Sequence, residues 1–285
     1  DEITDLIQRK KFIDAKNTIS TLLESKKDAS LINLYGIILL AQDNYQDAIT
    51  KFKLALEYDS NFFKSYNNLG ITLHKLEKYN DACKNYQKAI KINPDFFEAY
   101  NNLGIAFNIQ GKLEAAEDSY LKAINIIAKK YGAEDQELAN PYNNLGLLQF
   151  EKGEFRKAEL NYLKAVSIVE KNLGPNHQML GVYYSNLGLL HQRQLNIPVA
   201  INYLKKSISI TENNFGSNHA NLAVAYIHLA AVSSNNSEFE ESFQHLQIAL
   251  TISKESFGDQ STEVANIYGN LGTYYMSIGN YEESE

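Results

Sequence analysis

Apolar and small residues recur along the chain in two superposed periods. Over short stretches they fall three and four apart, the spacing of one face of a helix. Phe12, Ala15, Ile19 and Leu22 form one such set, Ile32, Tyr35, Gly36 and Leu39 a second, and Tyr45, Ala48, Phe52 and Ala55 a third. Over longer distances whole blocks return. Leu69, Gly70, Leu73, Tyr79, Ala82, Tyr86 and Ala89 repeat the order of Tyr35 to Ala55 after a step of 34 residues, and Pro94 closes that unit. The block Tyr66-Asn67-Asn68-Leu69-Gly70 returns 34 residues later as Tyr100-Asn101-Asn102-Leu103-Gly104. At steps of 42 it then becomes Tyr142-Asn143-Asn144-Leu145-Gly146, Tyr184-Ser185-Asn186-Leu187-Gly188, Tyr226-Ile227-His228-Leu229-Ala230 and Tyr268-Gly269-Asn270-Leu271-Gly272. Each unit reads as two helices, A and B, joined by a short turn at Asp43-Asn44 or Glu77-Lys78. Asp1 to Lys10 and Phe12 to Ser25 read as the helices of an incomplete or divergent first unit. Self-similarity at this period predicts an elongated array of stacked units.

Glycine in a helix interior costs roughly 1 kcal/mol relative to alanine, so its return at one register position needs a packing reason. Gly70, Gly104, Gly146, Gly188 and Gly272 are therefore expected where helix A touches helix B. Ala82, Ala116, Ala158 and Ala200 would supply a matching small surface, with Tyr86, Tyr120, Tyr162 and Leu204 filling space towards the next unit. From Leu113 the additional eight residues sit after helix B, where Ile124, Ile127 and Tyr131, then Val166, Val169 and Leu173, continue the apolar stripe. If most are helical, helix B gains on the order of 10 Å. Gly132, Gly174, Gly216 and Gly258 are placed to end those helices in left-handed caps. Pro198 fits the first turn of a helix B, whereas Pro141 predicts a late start or a small kink in its helix A.

The order aromatic, Leu-Gly, aromatic, Ala, aromatic, Ala, Pro resembles the tetratricopeptide repeat from about Ile32 to the last residue. Ile32 at the first aromatic position, and Ser207 and Ser242 at alanine positions, are local departures. The longer units are similar to those of kinesin light chain, most closely at Leu173-Gly174-Pro175-Asn176-His177. The resemblance implies an all-α fold, a right-handed superhelical solenoid of helix-turn-helix units. It divides the chain into residues 1–30, an incomplete unit; 31–96, two 34-residue repeats; 97–264, four 42-residue repeats; and 265–285, a truncated final repeat. Curvature is expected to change near Lys130, where the two subtypes join.

Composition narrows the function. Twenty-seven Lys and Arg stand against 34 Asp and Glu, a net charge of -7, where a nucleic-acid module would carry a basic face. The single cysteine, Cys83, excludes an intramolecular disulfide framework and fits a reducing, cytoplasmic setting. A lone helical thiol reads as a small packed hydrophobe. No apolar run reaches the length of a membrane span. The start, Asp1-Glu2-Ile3-Thr4, and the half-unit at the far end are expected of a segment of a longer chain.

Candidate chemistry is sparse. His177 and His219 share a register position with Asp135 and Ser261, and so read as helix caps, not metal ligands. No catalytic triad, phosphate loop or dinucleotide fingerprint stands out, and neither a metal nor a cofactor is expected. The stronger candidate is the series Asn68, Asn102, Asn144, Asn186 and Asn270, with His228 in the gap. Asparagine is a mediocre helix residue, so its recurrence needs a cause. By resemblance to the superhelix of O-linked N-acetylglucosamine transferase, this position lines the inner groove and an asparagine ladder holds the backbone of an extended peptide. The alternative is that these amides only bond between neighbouring helices. Lys64, His74, Glu98, Asn108, Phe150, Gln192 and Met276 would discriminate side chains. Only Lys64 is placed like the basic residues that chaperone-binding repeats use to clamp a C-terminal carboxylate, which argues against that activity.

The expected function is therefore a non-enzymatic scaffold that binds a protein or peptide, without nucleic acid or membrane. Two further readings stay open: a recruiting arm of a larger enzyme, transferase or caspase-like protease, and an oligomerisation module. An uncapped C-terminal repeat, with Leu271, Tyr274 or Tyr275 exposed, would favour self-association.

Overall fold

The structure, a computed structural model, describes residues 2–25, 28–236 and 238–280. Fifteen α-helices follow one another there, with no strand among the described residues. They fall into two units, Asp1–Gly132 and Ala133–Glu285. The first holds α1 (Glu2–Gln8), α2 (Phe12–Ser25), α3 (Ala29–Ala41), α4 (Tyr45–Tyr58), α5 (Phe63–Lys75), α6 (Tyr79–Ile92), α7 (Phe97–Ile109) and α8 (Leu113–Tyr131). The second opens with a single 3-10 turn, Gln136–Leu138, and continues through α9 (Ala139–Glu151), α10 (Phe155–Leu173), α11 (Met179–Arg193), α12 (Ile197–Phe215), α13 (Ala220–Asn235), α14 (Phe239–Phe257) and α15 (Thr262–Ser277). From α3 onwards odd numbers are helix A and even numbers helix B.

The helix A glycines sit where the aromatic of helix B arrives. A Cβ added to Gly36, Gly70 or Gly104 would lie 2.5 Å from the ring of Phe52, Tyr86 or Tyr120, and one on Gly146 would lie 2.8 Å from Tyr162. The small partner of each glycine is thus chiefly a ring face, not the alanine that the sequence suggested. The alanine contributes backbone: the Ala158 carbonyl is 3.2 Å from the Gly146 Cβ position. The same ring also faces forward, since Tyr86 shares a cluster with Ile71 and Leu73 of α5 and with Leu103 and Ala106 of α7. The clusters around Phe52 and Tyr86 are both of this kind, two helices of one pair closed by the first helix of the next. Burying each such aromatic contributes about 1.5–3 kcal/mol.

The motif tyrosine has a separate place. Lys88 lies 5.3 Å from the Tyr66 ring centroid, Lys164 5.0 Å from Tyr142 and Lys206 5.3 Å from Tyr184. A cation over an aromatic face contributes about 0.5–1 kcal/mol at exposed sites.

Helix B is 14 residues long in α4 and α6 and 19 in α8, α10, α12 and α14. Five additional residues lengthen the helix by about 7.5 Å, of the order expected, and the rest of the insertion forms the loop. That loop is tied down from the next helix B. Asn172 Nδ2 donates to the carbonyls of Ile168 and Glu134, and Asn214 Nδ2 to those of Ile210 and Asn176, all at 2.8 or 2.9 Å. The glycines that end these helices have positive φ, but their ψ values of 161–170° place them outside the left-handed helical region. They occupy an extended conformation open in practice only to glycine, which corrects the expected cap geometry.

Pro141 does not delay its helix. α9 begins at Ala139, seven residues before Gly146, as α7 begins at Phe97 before Gly104. Pro141 falls in the first turn, where its missing donor has no intrahelical partner to lose. Two other expectations also shift. Leu22 points outward while Leu23 packs inward. Leu271 and Tyr274 are buried against α13 and α14, and Tyr275 is half-buried beside Phe243, because α15 presents its apolar stripe to the preceding pair. The exposed large apolar residues of α15 are Tyr268 and Met276.

The A-to-B turn places the residue seven after each helix A glycine at positive φ: Asp43, Glu77, Gly111, Gly153, Leu195 and Gly279. Leu195, with φ 60° and 75% exposure, gains nothing from burial there. Leu195→Gly is expected to raise stability by about 0.5–1 kcal/mol, and Gly104→Val to lower it by more than about 2 kcal/mol through overpacking on Tyr120. Thermal and urea melts of the two variants check both signs.

Candidate peptide-binding face

The asparagine series is a two-residue device. Asn68 Nδ2 donates to Asn33 Oδ1 at 3.0 Å, Asn102 Nδ2 to Asn67 Oδ1 at 3.0 Å, and Asn186 Nδ2 to Asn143 Oδ1 at 2.8 Å. The donor is the second asparagine of its motif, and the acceptor is the first asparagine of the preceding repeat. Acceptors Asn33, Asn67 and Asn143 are buried, while the donors are half-buried. Ser65 Oγ adds a second bond to Asn33 at 2.9 Å. These amides join successive A helices, and sequence reasoning missed the acceptor series although the Asn-Asn pair displays it. An amide offers two N–H donors and a carbonyl oxygen. Each rung uses one N–H of its donor residue.

The rungs do not continue through α13. There the acceptor position is Ser185 and the donor position His228, and at the following step they are Ile227 and Asn270. His228 Nδ1 is buried with no hydrogen-bond partner among the described residues, and burial holds its imidazole below the usual histidine range.

Two cavities open along this face of the second unit. One of about 180 Å³ between α11 and α13 is lined by Asn186 and His228; another of about 250 Å³ between α13 and α15 is lined by Gln192 and Asn270. The structure thus pairs four of the candidate residues. Phe150 instead lies 5.7 Å from Phe155, within its own helix pair, and lines neither cavity. In the first unit Lys64 is exposed on α5 and Asn108 half-buried on α7. A wider groove of about 960 Å³ between α4 and α6 carries Lys53, Lys78, Lys84, Lys88 and Lys91 with Glu57 and Asp81, the last paired with Lys84 at 2.9 Å, a locally net-positive surface that global charge conceals.

The remaining chemistry is structural. His219 Nδ1 accepts from Asn221 N and His177 Nδ1 from Met179 N, at 3.3 and 3.4 Å, beside the caps made by Asp135 and Ser261. His191 is buried and stacks on Tyr203. Burial raises the Cys83 thiol above its ordinary pKa, which leaves it protonated and packed. No cluster of three or more His, Cys, Asp or Glu able to hold a metal occurs among the described residues, and no helix there is long and apolar enough to cross a membrane.

Tetratricopeptide-repeat profiles match residues 51–84, 72–108, 95–171, 181–221 and 221–285. The chain belongs to the tetratricopeptide-repeat family. No curated protein is similar enough in sequence to count as a relative. Among solved structures it is similar to a chain of the APC/C hetero-tetramer Cut9-Hcn1, with TM-score 0.74 and 18% identity over 93% of this chain and 47% of that one. It is also similar to BtubC (BKLC) from P. vanneervenii, with TM-score 0.64 and 19% identity over 77% of this chain and 92% of that one. At these identities the likeness is one of fold, and the chain spans about half the length of the first.

The desolvation of the half-buried His228 imidazole has a pH signature. A histidine whose pKa is depressed on folding lets the unfolded state bind more protons as pH falls through its unfolded value, about 6.5. Stability is therefore lost on acidification. His74 and His245, also lowered by burial, add to the same slope. Urea midpoints measured between neutral pH and pH 5 are expected to fall, with a shallower slope in His228→Asn.

Proposed function

We propose that the chain is an interaction module that binds an extended segment of a partner protein along the groove formed by its A helices. The observation that supports this most directly is the repeated half-buried amide. Asn68, Asn102 and Asn186 each commit one N–H to the preceding repeat, which fixes the side chain, and retain a second N–H and further acceptor capacity. A pre-oriented amide can pair with a peptide group whatever side chain that peptide carries. Asn144 and Asn270 occupy the same register, with His228 between them. Lys64, Asn108, Phe150 and Gln192 vary from unit to unit, as residues that read side chains would. The free, packed Cys83 supports a cytoplasmic setting. Exposed Tyr268 and Met276 favour a secondary reading, self-association through α15, which sedimentation over a range of concentrations checks.

The test uses peptides selected from a phage-displayed random library on the intact chain. Asn102→Ala and Asn186→Ala are each expected to weaken all selected peptides by about 1–3 kcal/mol in calorimetric titrations, because a desolvated peptide group loses its partner. Both also remove an inter-repeat bond, so Asn67→Ala, which breaks the rung from its buried side, is the control. Lower melting with a small loss of affinity in Asn67→Ala, which frees the Asn102 amide but leaves it present, against the larger loss in Asn102→Ala, is the expected split. Wild-type affinity in the folded Asn102→Ala and Asn186→Ala variants would reduce the ladder to a structural bridge.

A further inference from the structure

The cavity between α11 and α13 lies at the step where the amide rung is absent, and its lining differs from the corresponding place one repeat earlier. Gly181, Ser207 and Thr211 form its floor. At the same register positions α9 and α10 carry Ala139, Ala165 and Val169, all fully buried. The glycine makes room for the threonine hydroxyl, since a Cβ on Gly181 would lie 2.7 Å from Thr211 Oγ1, and the exchanges of alanine for serine and valine for threonine change the chemistry of the floor without reducing side-chain volume. Both hydroxyls are satisfied from within: Ser207 Oγ donates to the Gly181 carbonyl at 2.7 Å and Thr211 Oγ1 to the Ser207 carbonyl at 2.8 Å. Neither hydroxyl proton is therefore left for a ligand. Val182, Val224 and Phe215, 48%, 50% and 43% exposed, give the open rim its apolar surface, and the uncharged polar side chains of Gln178, Ser185, Asn186, Asn221 and His228 complete the lining.

The occupant follows from size and charge. A cavity of about 180 Å³ is close in size to the ~150 Å³ cavities that take a molecule of six carbons, which suits one side chain of about four carbons with some room at the open rim. No Lys, Arg, Asp or Glu lines the cavity, so a charged side chain would be desolvated there without compensation. We propose that this cavity is a specificity pocket for one branched aliphatic side chain, Val, Leu or Ile, of a peptide whose backbone runs past Asn186. The proposal rests on the groove reading above and adds to it the class of residue selected and the place where it is selected. The ladder and the pocket divide the work: rungs hold backbone without regard to sequence, and the step without a rung reads a side chain.

The probe is again the set of peptides selected from the random library on the intact chain. They are expected to share an aliphatic residue at one position, and alanine there is expected to weaken binding roughly tenfold or more, the equivalent of two or three buried methylenes. Val224→Phe on one wall and Val182→Phe on the other, both at exposed positions, should each cost a similar factor with unchanged melting. In either background the alanine peptide should lose nothing further, the coupling expected when both changes act on one contact. Two blocking variants keep the test valid if one fails to fold. Peptides that lack a shared aliphatic residue, or bind both blocked variants at full strength while still weakened by Asn186→Ala, overturn the pocket and leave the groove. Peptides indifferent to the ladder variants as well, or no selected peptide at all, overturn the groove and the pocket together.

Discussion

The contact between a helix A glycine and a helix B ring sets the geometry on which the other features depend. With a hydrogen in place of a methyl group, the Tyr86 ring seats directly on α5, and its other side is free to meet Leu103 and Ala106 of α7. One aromatic therefore serves two interfaces, within the pair and between pairs. Because a core cluster needs the next helix A to close it, stability accrues from neighbour to neighbour. The same contact at Gly36, Gly104 and Gly146 keeps successive pairs in like register, which brings the asparagines of consecutive A helices within hydrogen-bonding distance.

The rungs follow from that spacing and give it polar specificity. A buried asparagine acceptor without a donor costs about 1–3 kcal/mol, so a shifted stack would strand Asn33, Asn67 or Asn143 in apolar surroundings. Two loop devices act alongside them in the second unit. Asn172 and Asn214 fasten the inserted loops, and the capping glycines turn the chain where no side chain is tolerated. The longer helix B thus comes with the residues that hold its exit.

Function and stability share these residues, and the division between them is local. Where both asparagines of the motif are present, the face is bridged and repetitive. Where Ser185 and His228 replace them, a cavity opens beside exposed valines. A repetitive scaffold gains a distinguishable position by interrupting its own pattern.

The two periods, the helix pairs, the turn positions and the family were legible in the sequence, because each rests on spacing along one chain. The glycines declared that something came close, since their helical cost had no local reason. What came close was settled only in three dimensions, where the ring of Phe52 or Tyr86, and not an alanine methyl, occupies the site. Pro141 shows the same limit: the sequence marks a constraint at that point, but whether it falls before or inside the first turn depends on where packing starts the helix. The donor asparagines were visible as a series, yet their partners lie 35 or 43 residues away, a separation that becomes contact only through stacking. The cavity was not legible at all. It is a volume bounded by residues of α11, α12 and α13, and absence of matter is a property of the packed structure, not of any residue.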